Sequence, residues 1–306
     1  MDVSREKGDE ERNGGASMFL SIITPTYNRA YTLTRLYSSL VNQTDQDFEW
    51  VIINDGSTDN TEELINQFNE EGKIPIRYLS QSNGGKQRAH NKGVSVSLGE
   101  LCICVDSDDA LSLDAVETAK KIWAEADDKR HIGILAKRGD FDSHKPLCGD
   151  WPDELHECTM IELQEKFGFS GDTALFFQTK LMKKHYFQQF KDEKFVPEDS
   201  LYAELDNYGN MLLVKAVIYY CEYLPDGLTA NYRQLLLDNP MGTSYCYYRR
   251  MLRSSDIKNK LKNAIISQAF LAQAGRKAEY KCDKQRLYFA IGAIGAPIYR
   301  RLKKMI

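Results

Sequence analysis

The stretch DSDD, Asp106 to Asp109, sets three carboxylates within four residues directly after the apolar run Leu101 to Val105. Like charges this close repel one another unless a cation holds them, and hard carboxylate oxygens suit Mg2+ or Mn2+. Such an ion keeps open positions for phosphate oxygens, so the chemistry on offer is neutralisation of a phosphate leaving group. Taken alone, the same residues also suit an acidic turn that caps a following helix. Two other polar clusters follow apolar runs: TPTYN, with Pro25, Thr26, Tyr27 and Asn28, and NDGSTD, with Asp55. The glycine-rich stretch SNGGKQRAHNKG adds Asn83, Lys86, Arg88 and His90. Far along the chain, FVPEDSLY puts Glu198 and Asp199 after a proline, SGDTALFF contributes Asp172, and Trp151 is an aromatic that could stack on a ligand.

The elements that must position these residues alternate. FLSIITPT, FEWVIINDGS, IPIRYLSQ and ELCICVDSDD are apolar, β-rich runs stopped by proline or polar turns. RLYSSLVNQT between the first two places Leu33, Leu36, Tyr37 and Leu40 at helical spacing. TDNTEELINQFNEEG predicts a helix with Ser57 or Thr58 near its start and Gly72 at its end, and GGKQRAHNKGVSVS a turn and a helix. Strand and helix at this pace predict an α/β fold with a mostly parallel, doubly wound sheet. Ligands of such sheets bind beyond the carboxyl ends of the strands. TPTYN, NDGSTD and DSDD all fall there, on one rim. After Leu113, LDAVETAKKIWAEAD reads as a helix and HIGILAKRGD as a strand. MIELQEKF through TALFFQTKLMKKHYF carries both signals in no settled order. LYAELDNYGNMLLVKAVIYYCEYLP reads as a helical stretch and a final strand, DGLTANYR as a polar turn, and the chain from Ser255 onward as mainly helical.

Bulk properties bound the function classes. The 306 residues carry a formal net charge of -4, with 42% apolar and 27% charged residues. That is an ordinary globular mixture, and it offers no global field for nucleic acid. Seven cysteines include no C-x-x-C pair, and Cys102 and Cys104 share one face of an apolar strand. They read as small buried hydrophobes in a reducing, cytoplasmic setting, not as zinc ligands. Residues 1–17 are polar and lack an apolar core segment, so they read as a disordered arm and not a signal peptide. No run of 18 apolar residues predicts a spanning helix. The tail couples an apolar run from Leu287 to Tyr299 to Arg300, Arg301, Lys303 and Lys304. Basic ends beside an apolar face suit peripheral contact with an anionic membrane, while a core-packed helix with a wet basic end is the plain structural reading. The helices of residues 255–300 fit a homodimer surface or a packed cap.

The elements SIITPTYNRA, VIINDGSTDNT, NGGKQRAHNKG and VDSDDA, in that order, resemble glycosyltransferase family 2. The resemblance is sharp over residues 19–110, weaker through KFVPEDSLYAELD to about residue 235, and fades in the tail. It implies the GT-A fold: a nucleotide-sugar-binding half at 18–125, an acceptor-binding half at 126–245 and a helical C-terminal extension at 246–306. It also implies inverting transfer of a sugar from a UDP-sugar, or a dTDP-sugar, to a hydroxyl of a glycan or lipid-linked glycan in cell-surface polysaccharide synthesis. The cofactor implied is Mn2+ or Mg2+.

Roles follow from that resemblance, residue by residue. Asp106 and Asp108 match the D-x-D motif, with Asp108 on the metal and Asp106 near the ribose or assisting through water. The loop Pro25, Thr26, Tyr27 and Asn28 surrounds base and ribose. Asp55 matches the acid near the nucleobase, where a carboxylate can accept the imide N–H of uracil or thymine. Asn83 and Lys86 come from the glycine turn. Many relatives have an arginine before the helix asparagine where this chain has His90 before Asn91; Lys86, which opens the helix beside the glycine turn, is the expected cation facing the nucleotide, with Arg88 pointing outward. Asp199 is the expected base of the E-D motif, with Glu198 orienting it or the acceptor. Asp172 is its rival and a ligand for donor hydroxyls. Two other readings stand beside transfer: a catalytically silent nucleotide- or glycan-binding protein, and a nucleotide-sugar nucleotidyltransferase. The latter lacks a basic triphosphate loop near the start of the chain.

Overall fold

The computed structural model describes residues 18–303, except 128, 228, 276, 279 and 281–285. The polar arm of residues 1–17 and Lys304 lie outside the described residues. The expected alternation holds through β1 (Leu20–Thr26), α1 (Ala30–Val41), β2 (Phe48–Asn54), α2 (Thr61–Glu71), β3 (Ile76–Ser80), α3 (Lys86–Val96) and β4 (Leu101–Cys104). These four strands pair in parallel in the order β3-β2-β1-β4. Ile22, Trp50, Ile52, Leu101 and Ile103 point to one face, where Leu33, Leu36, Tyr37 and Leu40 of α1 meet them as the spacing predicts. Ile23, Val51, Ile53 and Cys102 point to the other, against Ala89 and Val94 of α3. Burial on both faces is why these strands read as continuous apolar runs.

Two local expectations shift. β1 runs through Pro25 to Thr26 instead of stopping at the proline. Its pairing with β4 ends at Ile23 and Cys104, so beyond that point β1 has a neighbour on one side alone and tolerates a residue without an N–H. Helix α2 begins at Thr61, not at Ser57 or Thr58, and ends as expected on Gly72 in the left-handed region (φ 61°).

The second half completes the sheet. It contributes β5 (Ala110–Leu111), α4 (Ala115–Trp123), β6 (His131–Asp140), β7 (Glu157–Cys158), α5 (Met160–Glu165), β8 (Thr173–Gln178), α6 (Thr179–Met182), α7 (Asp199–Leu205) and β9 (Asn210–Cys221). β8 joins β4 antiparallel, β6 joins β8 antiparallel, and β9 joins β6 in parallel. The parallel, doubly wound reading therefore holds for the first four strands, while the added half is mixed. Helices α8 (Tyr232–Asp238), α9 (Pro240–Arg253), α10 (Ile257–Ala274) and α11 (Arg286–Lys303) follow. The sequence did not announce α9: its interior of Gly, Thr, Ser, Tyr and Cys is poor in helix formers, and packing supplies what propensity does not. The expected division at residue 245 falls inside this helix.

Candidate active site

Two cavities flank the carboxyl rim. The first, about 630 Å³, is lined by the rim loops of β1, β2 and β4 together with segments of residues 194–199 and 221–239. Thr26 closes β1 there; its carbonyl accepts the Asp55 N–H at 2.8 Å, and its buried hydroxyl has no partner. Pro25, Tyr27, Asp55, Asn83 and Lys86 line the same cavity. Asn28 does not. It sits at φ 52°, its N–H donates to Ser57 Oγ at 2.9 Å, and its Oδ1 accepts from the Thr58 N–H at 2.8 Å. The expected ligand contact is thus corrected to a clasp between two rim loops, which also explains why Ser57 and Thr58 do not start α2.

Asp55 is buried and fully engaged. Oδ1 accepts from Gln81 Nε2 at 2.7 Å and the Gly84 N–H at 2.8 Å; Oδ2 accepts from the Gly85 N–H at 2.7 Å and Asn83 Nδ2 at 3.3 Å. This carboxylate therefore shapes the glycine turn, and reading a nucleobase imide requires one of these bonds to yield. Gly85 has φ 94°, and a Cβ there would lie 1.8 Å from the Lys194 carbonyl oxygen, so the turn admits no side chain. It delivers Lys86 as the first residue of α3.

Lys86 bridges the two halves, reaching Asp106 Oδ1 at 2.7 Å and Glu198 Oε1 at 2.9 Å. Burial works against its charge, but Asp106 and Glu198 more than offset this and raise its pKa well above the usual lysine value. Burial likewise works against the charge of Asp106, and Lys86 and Arg138 outweigh it, holding this acid below its ordinary pKa. Asp108 is different. Among the described residues no Lys, Arg or His pairs with its carboxylate, and burial, then the Asp106 charge, push its pKa up. Asp109 is buried; it accepts from Tyr219 Oη at 2.6 Å and is pushed up to about 7, chiefly by burial and then by Asp106.

No group of three or more His, Cys, Asp and Glu converges as a metal cage among the described residues. The donor set that is present still suits a hard divalent ion: Asp108, without an ion pair among the described residues and lining the cleft, with Asp106 two residues away.

The second cavity, about 590 Å³, opens on the other side and is lined by α5, α7 and the facing ends of α9 and α10. It shares one wall with the first: Lys86, Asp106, Arg138, Asp172, Glu198 and Asp199 line both. Both volumes fall in the range of small-molecule sites, roughly 300–1,000 Å³. Asp199 opens α7, and its Oδ2 accepts from Arg250 of α9. Arg249 pairs with Glu204 at 2.8 Å and Arg253 with Asp206 at 3.3 Å, so α9 grips both ends of α7. Asp172 accepts from Tyr223 Oη at 2.5 Å.

Arg138 is the residue that sequence reasoning missed. It leaves β6 into the shared wall, stacks over the Tyr219 ring at 4.1 Å, and has a buried Nε with no hydrogen-bond partner among the described residues. Burial opposes its charge, but Tyr219, Asp106, Asp109 and Glu198 raise its pKa above the usual arginine value. The available signal was a cation near the end of the apolar run HIGILAKRGD. Three further side chains find their places. Trp151 is buried against Phe169 under Lys137, away from both cavities. Arg88 is half-buried and donates to the Phe190 carbonyl at 2.9 Å. His90 is buried and held down to about 4 by desolvation, so it is a neutral core group, which leaves Lys86 as the α3 cation in the cleft.

Residues 21–184 match the model of "Glycosyl transferase family 2". The chain belongs to this family. The match ends before Glu198 and Asp199. Among characterised relatives, the chondroitin synthase of Pasteurella multocida is 46% identical over 103 residues, covering 33% of this chain and 10% of that protein. The glycosyltransferase GlyG of Streptococcus pneumoniae is 36% identical over 118 residues, 38% of this chain and 39% of that one. The chain thus matches well under half the length of these relatives. Solved structures share the GT-A fold. S. aureus TarS 1-349 in complex with UDP superposes with a TM-score of 0.60 at 18% identity, covering 94% of this chain and 83% of that one. The mannosyltransferase PcManGT of Pyrobaculum calidifontis, in complex with GDP-Man and Mn2+, gives 0.54 at 16% identity, covering 93% and 87%. Among the described residues no helix is long and apolar enough to cross a membrane.

Proposed function

We propose that this glycosyltransferase moves a sugar from a UDP-sugar to a hydroxyl of a glycan or lipid-linked glycan, with inversion, in polysaccharide synthesis. The observation that carries the reading is the wall shared by the two cavities. A nucleotide-sugar in the first cavity and an acceptor in the second would meet at Lys86, Asp106, Arg138, Asp172, Glu198 and Asp199.

Each residue then has a task that its surroundings permit. Thr26 and Tyr27 bound the nucleoside end, with Asn83 and Gly85 on the opposite lip. Asp108, and Asp106 beside it, would hold Mn2+ or Mg2+; when bound, the ion supplies positive charge to the diphosphate leaving group. Lys86 and Arg138 add fixed positive charge at the same wall. Asp199 Oδ1 takes the acceptor hydroxyl proton, Arg250 fixes the carboxylate through Oδ2, and Glu198 is held by Lys86 at 2.9 Å. Asp172, held by Tyr223, faces both cavities and is placed for sugar hydroxyls. UDP as the nucleotide is supported by the TarS complexes with UDP and UDP-GlcNAc, and Mn2+ by the PcManGT complex.

A thermal-shift screen of UDP-, dTDP- and GDP-sugars with and without Mn2+ tests the donor, because a ligand of the folded state raises its melting temperature. The expected result is a Mn2+-dependent rise with a UDP-sugar, lost in Asp108→Asn while the ligand-free melt is unchanged. A flat response to every UDP-sugar would overturn the donor assignment. Nucleotide binding with no sugar product on any acceptor would favour the silent-binder reading.

A further inference from the structure

Among the described residues, helix α11 leaves one whole face without a covering partner. Leu287, Ile291, Ile294 and Ile298 are 70%, 40%, 77% and 66% exposed, and Ala290, Ala293 and Pro297 between them are exposed too. These positions recur at helical spacing, so they form one stripe on a rod roughly 27 Å long. The opposite face is engaged: a Cβ on Gly292 would lie 2.6 Å from the Ala264 backbone of α10, and Ala296 is buried. The stripe is therefore not core turned outward by loose packing.

Charge decides what covers it. Residues 286–306 contain no Asp or Glu, and the stripe is bounded by Arg286 on one end and Arg300, Arg301 and Lys303 on the other. On the adjoining edge of α10, Lys258 and Lys262 flank a groove of Ile257, Leu261 and Ile265 against Tyr299; the one acid of its lining, Asp256, is turned to capping α10, where it accepts from the Asn259 N–H at 2.8 Å. A second copy docked by a two-fold axis would bring cationic ends against cationic ends, whichever way the helices ran. An apolar stripe with a basic border fits a surface that is apolar inside and anionic at its edge.

We propose that α11 lies flat on an anionic lipid bilayer and docks the protein there. The outer face of α10 would meet the headgroups through Lys258 and Lys262. On its other side Asn259 and Asn263 line the second cavity. Resting on the transfer reading, that sets the acceptor cavity one helix away from the lipid, where a lipid-linked acceptor would enter.

Co-sedimentation of the full chain with vesicles tests the docking without any turnover. One set is phosphatidylcholine alone, the other phosphatidylcholine with a minority of phosphatidylglycerol. Wild type should pellet with the anionic vesicles and lose binding severalfold as salt rises. Ile294→Glu, at an exposed position, should weaken partition about tenfold or more, with an unchanged circular-dichroism melt and an unchanged thermal shift by UDP. Arg301→Glu with Lys303→Glu should reproduce the loss without touching an apolar residue. Absence of pelleting with anionic vesicles, or equal pelleting with both sets, would overturn the proposal. So would a wild-type dimer in sedimentation velocity that Ile294→Glu dissociates while lipid binding is absent. Loss of UDP response in the wild type would instead strike the transfer reading and leave docking standing.

Discussion

The two sides of the shared wall hold their acids by different means. On the nucleotide side, Asp55 is buried at 3% exposure, with four hydrogen-bond donors drawn from the turn that follows β3. On the acceptor side, Asp199 has a side chain 51% exposed and is held by one arginine from a helix 51 residues later. The first acid is part of the fold; the second is a group that the fold presents. The same contrast runs through the sheet, parallel with both faces buried up to β4, and mixed beyond it. Positions built into the first region should couple stability to binding, whereas positions in the second should affect chemistry with little effect on stability.

The sharpest way to break this contrast is Asp199→Asn. It removes a proton acceptor but keeps the shape, so kcat should fall about 10³-fold, within the usual range for general-base loss. The exposed ion pair with Arg250 contributes little, so the urea midpoint should barely move. The thermal shift by a UDP-sugar should also persist. A large loss of stability or of UDP response would show that α7 is as deeply built in as the nucleotide rim.

Asp55→Asn should behave in the opposite way. Placing an amide N–H2 among donors leaves buried groups unsatisfied and should cost about 3 kcal/mol in urea unfolding. UDP affinity should fall along with it, because the same turn carries Asn83 and Lys86. Unchanged stability with lost UDP affinity would mean that Asp55 contacts the base directly and does not act through the turn.

The smallest effect concerns Asp109. Its folded pKa is raised to about 7 from an ordinary 3.8. The folded state then binds this proton more tightly than the unfolded chain does. The contribution to stability is full below the unfolded value and is lost as pH rises through the folded one. In EDTA, Asp109→Asn should therefore gain stability relative to wild type as pH goes from about 4 to about 7, while keeping an acceptor for Tyr219. A difference that stays flat with pH would mean that Asp109 is ionised throughout.

The nucleotide side was legible because its signals are local. An apolar run that ends in Thr26, Asp55 or Asp106 states both the strand and the place where it stops. The helical spacing of Leu33, Leu36, Tyr37 and Leu40 was equally plain. The acceptor side depends on partners far apart in sequence. Arg138 meets Tyr219 and Asp109 from three separate segments. α9, with weak helix formers, became visible once its arginines were seen to pair with Asp199, Glu204 and Asp206. Trp151 could stack on a ligand or pack in the core on sequence grounds, and the structure places it in the second core.

By itself, the sequence determined which strands come first, where they end to within a residue or two, and that acids cluster at one rim. Hydrophobic runs and turn residues act over a few positions, so they are written in order along the chain. Tertiary structure alone decided how those acids differ. Lys86 is shared between Asp106 and Glu198, while Asp108 has no cationic partner among the described residues and Asp109 is buried under Tyr219. Charge state depends on burial and on neighbours within a few ångströms, and no spacing along a chain specifies either.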